Sequence, residues 1–310
     1  MTRKLVSLVL ALALVCLCIP ALGEGGLTVK DMMDREVKLA GPAERIVVMM
    51  PSDCEILYAI GAGDLIVGRG TYCDYPADVL EITEVTSGGE TNVEAIISLQ
   101  PQAVVMTKMA HSPELAEQLE EAGIAVIVTD AQTIEGTYAC IALLGEVTGK
   151  QDEAAALVEG MKARFAAVAE KAKDTGLTVY FETTPMEWGW GLYSAGAGNF
   201  MDEIATLCGL KNIFGDVTDG GGWPVVNEED VIAANPDLII AFDSNGMGEG
   251  MDAGQVITAR EGWKDMDAVK QGHVFVLVNN EFVRPGPRLA DAAESLMELV
   301  ESFEAAEPAA

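Results

Sequence analysis

Asn92-Val-Glu94-Ala-Ile96-Ile97-Ser-Leu-Gln100-Pro101-Gln-Ala-Val104-Val105 returns 135 residues later as Asn227-Glu-Glu229-Asp-Val231-Ile232-Ala-Ala-Asn235-Pro236-Asp-Leu-Ile239-Ile240. Asn, Glu, Ile and Pro coincide, and apolar positions fall on apolar positions. Asn is a strong helix N-cap, because its side chain accepts from a free first-turn N–H. A short helix follows each Asn, the Pro ends it, and a β-branched run opens a buried strand. One helix–strand unit used twice points to two similar lobes.

The rest of the chain fits that frame. Strands are expected at residues 45–50, 65–68, 103–107 and 125–129, and again at 177–182, 237–242 and 273–278. Helical patterns lie between them at 55–60, 93–99, 113–122 and 136–148, then at 199–208, 229–234 and 289–303. Such alternation implies parallel sheets covered by helices. The two sets are separated by residues 152–173, which read as one amphipathic helix with Ala156, Val158, Met161, Phe165 and Val168 on its apolar stripe. About 33 Å long, it can cross between lobes as a stiff spacer.

The first residues read as an export signal: Arg3 and Lys4, an apolar stretch from Leu5 to Ile19, then small residues preceding a cut after Gly23. About 15 apolar residues are short of the roughly 20 a membrane span needs. A retained anchor is the alternative. Neither Cys16 nor Cys18 follows the small residues of a lipoprotein site. The domains expected are therefore a signal peptide over 1–23, an N-terminal lobe over 24–150, a linker helix over 151–174 and a C-terminal lobe over 175–310.

The net charge of −30 becomes −32 once Arg3 and Lys4 are lost. So acidic a chain is a poor partner for nucleic acid or anionic lipid, both of which need Lys and Arg on phosphates. Cleavage leaves Cys54, Cys73, Cys140 and Cys208 of the six cysteines. Cys140 and Cys208 read as core residues, and a Cys54–Cys73 bridge stays open.

Enzyme motifs are missing. Ser194 does not sit in a Gly-x-Ser-x-Gly elbow, and no Gly-x-Gly-x-x-Gly or Walker loop occurs. The only two histidines, His111 and His273, are too far apart in sequence for the usual zinc shell. Met247 and Met251 offer a weak Cu(I) pair. No catalytic residue and no metal ligand is expected. Aromatics are more telling: Trp188, Trp190 and Trp223 lie in Gly-rich segments, Tyr72 and Tyr75 flank Asp74, and Tyr193 follows the tryptophan pair. Held at strand ends, these rings would face a large flat ligand across a cleft. Arg284, in Arg284-Pro-Gly-Pro-Arg288, is placed to point into that cleft, whereas Arg288 is expected to pair with surface acids.

These segments together resemble the iron-chelate and cobalamin periplasmic binding proteins of importers driven by ATP-binding cassettes. The resemblance is carried by Arg45-Ile-Val-Val-Met-Met-Pro-Ser with Glu55-Ile-Leu, Tyr72-Cys-Asp-Tyr-Pro, Asn92-Val-Glu-Ala-Ile, Pro101, Trp223-Pro, Pro236-Asp-Leu-Ile-Ile and Arg284-Pro-Gly-Pro-Arg-Leu. It implies an α/β fold of two Rossmann-like lobes joined by one long α-helix, with the ligand cleft between them. Glu94 and Glu229 then look like the lobe-tip acids that pair with Arg on a membrane permease dimer. Trp223, Tyr193, Tyr75 and Arg284 match cleft positions of the cobalamin branch; Gly88-Gly89 and Asn280 depart from it. The implied protein is an exported monomer without a cofactor of its own. It would bind a metal chelate that brings its own cobalt or iron: a corrinoid first, haem or a ferric siderophore as alternatives. An exported enzyme on the same fold is the alternative of another class.

Overall fold

A computed structural model describes residues 26–85, 91–243 and 252–306. The expected signal peptide, Gly88-Gly89 and the Met247/Met251 pair lie outside the described residues.

An antiparallel hairpin, β1 (Leu27–Lys30) and β2 (Glu36–Leu39), opens the chain. Its turn is organised by buried Asp31, which accepts from the Met33 and Arg35 amides and binds the Arg35 guanidinium at 2.8 Å. Then come β3 (Ile46–Val48), α1 (Pro51–Ala59), β4 (Ile66–Arg69), α2 (Val93–Ser98), β5 (Ala103–Thr107), α3 (Pro113–Glu121), β6 (Ala125–Thr129) and α4 (Ile134–Thr148). The four later strands pair in parallel in the order β4-β3-β5-β6. Covered on both faces, such strands are apolar throughout, as Ala103-Val-Val-Met and Val126-Ile-Val are, all buried.

Helix α5 (Gln151–Lys171) leads into the second half: β7 (Thr178–Phe181), β8 (Leu192–Tyr193), α6 (Phe200–Leu207), β9 (Lys211–Asn212), β10 (Val225–Val226) and α7 (Glu228–Ala234). β11 (Leu238–Phe242), α8 (Ala253–Ala259), α9 (Asp267–Gln271), β12 (Val274–Leu277), α10 (Asn279–Phe282) and α11 (Leu289–Ala306) complete it. Its sheet is again parallel, in the order β12-β11-β7-β9, with β8 and β10 forming a small antiparallel ribbon.

The repeat is real in three dimensions. Asn92 caps α2 by accepting from Ala95 N, and Asn227 caps α7 by accepting from Asp230 N. Each helix then feeds a central strand of its own sheet.

The long helix is two residues shorter than expected at its C-terminus, and its buried stripe is Ala154, Met161, Phe165 and Val168, not Ala156, which is exposed. One edge packs on α4 of the first lobe and another on α11 of the second. Arg164 fixes the latter contact by ion pairs to Asp291 and Glu294, each 2.5 Å long. One apolar cluster, holding Ile56, Ile127, Phe165, Phe181 and Leu296, runs through both lobes under this helix. Each sheet also has its own outer-face core, around Val104 and Val126 in one lobe and around Tyr180 and Trp263 in the other.

Candidate functional site: a cleft between the sheet ends

In parallel sheets with helical crossovers, ligands gather at the carboxyl ends of the strands. Here two such edges face one another. Met50 follows β3, Tyr72 follows β4, Thr107 ends β5 and Thr129 ends β6; from the other lobe Thr183 follows β7 and Asn280 follows β12. All of them line one open cleft of about 950 Å³. That is at the upper end of the usual ligand-pocket range.

Aromatic rings dominate its walls. Trp188, Trp190, Tyr193, Trp223, Tyr72 and Phe200 all line it. Trp190 sits between Gly189 (φ 77°) and Gly191 (φ 104°), left-handed conformations that cost a residue with a Cβ and that turn the chain on either side of the ring. Trp188 and Trp190 meet edge to face at 5.8 Å and remain 38% and 74% exposed. Exposed tryptophans at that level are unspent apolar area facing the cleft. The arm carrying them is anchored at Glu187, whose carboxylate receives the Arg260 Nε and Nη2 at 2.8 and 2.7 Å.

Two seams join the lobes beside the cleft. At one, Trp223 Nε1 donates to Gln132 Oε1 at 3.0 Å, the Phe200 amide donates to the Gln132 carbonyl, and the Ile134 amide donates to Glu203. At the other, Glu55 of α1, 3% exposed, receives Arg288 through Nε at 2.8 Å and Nη2 at 2.6 Å, and Arg284 Nη1 at 3.0 Å. Arg284 also reaches Asp74 at 2.6 Å, which holds the Asp74 carboxyl below its ordinary range. Arg288 lies 4.2 Å above the Tyr75 ring.

These contacts correct one expectation. Arg288 pairs with a buried acid of the other lobe rather than with surface acids. Tyr75 has Arg288 over one ring face, stays 48% exposed, and is not among the residues lining the cleft. The other ring positions, with Asn280 and Arg284, do line the cleft. Arg284 reaches it already committed to two carboxylates. Glu94 and Glu229 stand apart, exposed in the first turns of α2 and α7.

Asp53 was not anticipated. It occupies the first turn of α1, which starts at Pro51 and not at Glu55 as the sequence pattern indicated. At 1% exposure its carboxyl lines the cleft floor, accepting from Thr129 Oγ1 at 3.0 Å and from the Cys140 thiol at 3.5 Å. Burial pushes it up to about 7. The folded state therefore keeps a proton that the unfolded chain releases near its ordinary pKa of 3.8. Stability from this group is complete below that value, declines as pH rises toward 7, and levels off above. The whole span is worth at most roughly 4 kcal/mol. Urea unfolding of Asp53→Asn should show most of that pH dependence removed and greater stability than the parent at pH 8; an unchanged profile would mean the carboxyl is not held neutral. The sequence signal for such residues was positional: they follow or end the predicted strands.

Comparison with known proteins agrees with this architecture. Residues 46–281 match the family model described as periplasmic binding protein. A Bacillus subtilis protein described as the uncharacterized ABC transporter substrate-binding lipoprotein YvrC is 34% identical over 88% of this chain and 85% of its own. A vitamin B12-binding protein of Vibrio campbellii is 28% identical over 85% of this chain and 90% of its own. A solved structure from Staphylococcus epidermidis, described as a possible iron-binding periplasmic solute-binding protein, superposes with a TM-score of 0.70 at 27% identity, covering 83% of this chain and 98% of that one. The chain thus belongs to the periplasmic binding protein family: it is an exported substrate-binding component of an ABC importer, not an enzyme.

Proposed function

We propose that the cleft captures a corrinoid of the cobalamin type and that the loaded protein delivers it to a permease dimer. The carrying observation is the charge of the cleft. Among the described lining residues the charged ones are Asp53, Asp130 and Arg284, and Arg284 is neutralised by Glu55 and Asp74. Asp130 is paired with Lys108 at 2.9 Å. A polyanionic ferric siderophore would meet no uncommitted guanidinium there. A bulky macrocycle with amide side groups would find rings for its faces and Thr107, Thr129, Gln132 and Asn280 for its edges. The metal would arrive inside the ligand, so the protein need supply no coordination sphere. Export by a signal peptide cut after Gly23, residence at the outer face of the cytoplasmic membrane, and a monomeric state belong to the same reading.

Titration calorimetry of the metal-free protein with cobalamin and cobinamide tests it. Saturable heat at micromolar protein is expected. Trp223→Ala should weaken binding by about 30-fold, the ~2 kcal/mol that a central tryptophan usually carries. No heat with either ligand would remove the corrinoid reading. Haem is the second candidate, because Tyr72 is 64% exposed at the cleft and a tyrosinate is an established axial ligand. A haemin Soret shift that disappears in Tyr72→Phe would favour it.

A further inference from the structure

Four cysteines lie among the described residues, all buried and all as free thiols. Two have solitary surroundings: Cys140 donates to Asp53, and Cys208 donates to the Ala293 carbonyl at 3.5 Å. Cys54 and Cys73 are different. Their thiols are near enough that Cys73 raises the pKa of Cys54. Each also leans on backbone belonging to the other's neighbourhood. Cys54 Sγ is 3.9 Å from the carbonyl of Tyr75, two residues beyond Cys73, and Cys73 Sγ is 3.9 Å from the carbonyl of Val48, at the end of the strand that leads into α1. Both side chains are fully buried in the apolar cluster shared by the lobes.

We propose that Cys54 and Cys73 are a disulfide site, closed when the chain is exported. Each sulfur sits 3.9 Å from backbone beside the other cysteine, within one buried cluster, so a bond of about 2.05 Å is within reach of small side-chain and backbone adjustment. Exported proteins meet an oxidising environment in which such pairs form and persist. The oxidant is a protein disulfide donor. One cysteine, as thiolate, attacks a donor sulfur and gives a mixed disulfide. The second then displaces the donor, whose two sulfurs leave as thiols. The two cysteines lose two electrons and two protons, and the donor gains them.

Timing follows from burial. The partner thiol, then desolvation, hold the Cys54 thiol well above its ordinary pKa in the folded protein, and thiolate is the reacting form. Exchange must therefore precede closure of the core. Once made, the bond is shielded from reductants by the same burial.

The bridge ties residues 71–76 to α1. That segment has no helix or strand of its own, yet it presents Tyr72 to the cleft, holds Asp74 on Arg284 and places Tyr75 beneath Arg288. One covalent link thus fixes a cleft wall and the acidic half of an inter-lobe seam. This site stands whatever the ligand is.

The test uses the full chain, exported to an oxidising compartment and purified without reductant. It is denatured, alkylated with N-ethylmaleimide and mapped by peptide mass. Cys140 and Cys208 should be alkylated, with a peptide pair joined through Cys54 and Cys73 that separates on reduction. Alkylation of Cys54 and Cys73 before reduction, or a bridge joining either one elsewhere, overturns the proposal. Cys54→Ser should free Cys73 for alkylation and lower Tm by roughly 5–10 °C, as expected for losing a loop of about 20 residues; Cys208→Ser should leave the bridge in place. Because the parent is mapped denatured, the result stands even where a variant fails to fold.

Discussion

Arg260→Met is expected to lower Tm by roughly 6–20 °C and to loosen the tryptophan arm. Its guanidinium, with a side chain only 5% exposed, makes four charge-assisted hydrogen bonds: two to Glu182 at 2.5 and 2.8 Å, and two to Glu187. It also stacks over Trp263 at 4.6 Å. Met keeps most of the stem volume and none of the donors. Glu182, 1% exposed, then loses the charge that balances it. Burial already pushes its carboxyl upward, while Glu187, also penalised by burial, is held down on balance by its bonds to Arg260. Removing one partner of a buried ion pair typically costs about 3–5 kcal/mol. At about 2–4 °C per kcal/mol for a chain of this size, the Tm range follows.

The loss should grow with pH. Without the guanidinium, folded Glu182 keeps its proton to higher pH than the unfolded chain does, so stability falls as pH rises through the folded value. Two controls separate charge from packing. Arg260→Lys should not restore the parent, since one ammonium cannot bridge two carboxylates as a fork does. The triple change with Glu182→Gln and Glu187→Gln should recover much of the stability. Circular dichroism melting reads all three, and acrylamide quenching of tryptophan reports the arm independently. A shift under 3 °C in Arg260→Met would mean the buried network contributes little.

The sequence carried the long-period features best. Ala103–Thr107 and Ala125–Thr129 appear as predicted because an unbroken β-branched run bounded by turn residues has few other uses. The Asn–x–Glu…Pro unit held in both lobes because a cap and a breaker are local chemistry. The two-residue strands β8, β9 and β10 left no period to detect, and the β1–β2 hairpin turns on the side chain of Asp31. The sequence pattern starts α1 at Glu55, four residues late: Pro51 fits the first helical position, where its missing N–H costs nothing.

The site was legible to the extent that it is made of strand ends. Rings in glycine-rich segments after strands line the cleft, whereas Tyr75 turns instead toward Arg288, more than 200 residues away. Likewise, no periodicity announces that Glu55 will meet Arg284 and Arg288 across 229 and 233 residues. Contacts between lobes depend on how two folded units are set against each other, and that is decided by the shared core and α5.

Glu94→Lys combined with Glu229→Lys is expected to abolish delivery while ligand affinity stays within about twofold of the parent. Each acid is exposed in the first turn of a short helix that leads into a central strand. Helices in parallel units run opposite to their strands, so both N-termini lie on the cleft side of their sheets. Stability gives little reason for that pairing: a carboxylate at a helix N-terminus is worth only about 0.3–1 kcal/mol, and Asn92 and Asn227 already cap these helices. The proposed docking to a permease dimer, with a basic socket on each half, gives a better one. Reversing a charge within a docked pair costs about 2–5 kcal/mol, so two reversals should weaken docking by at least ~10³-fold. Single reversals should fall between, and Glu94→Gln with Glu229→Gln should be milder because it removes attraction without adding repulsion. The readout is ligand-dependent stimulation of ATP hydrolysis by the reconstituted importer, beside calorimetry on the free protein. Full stimulation by the double reversal would locate the docking surface elsewhere. Loss of stimulation together with loss of ligand binding would point to a damaged fold, which melting curves of the same variant would reveal.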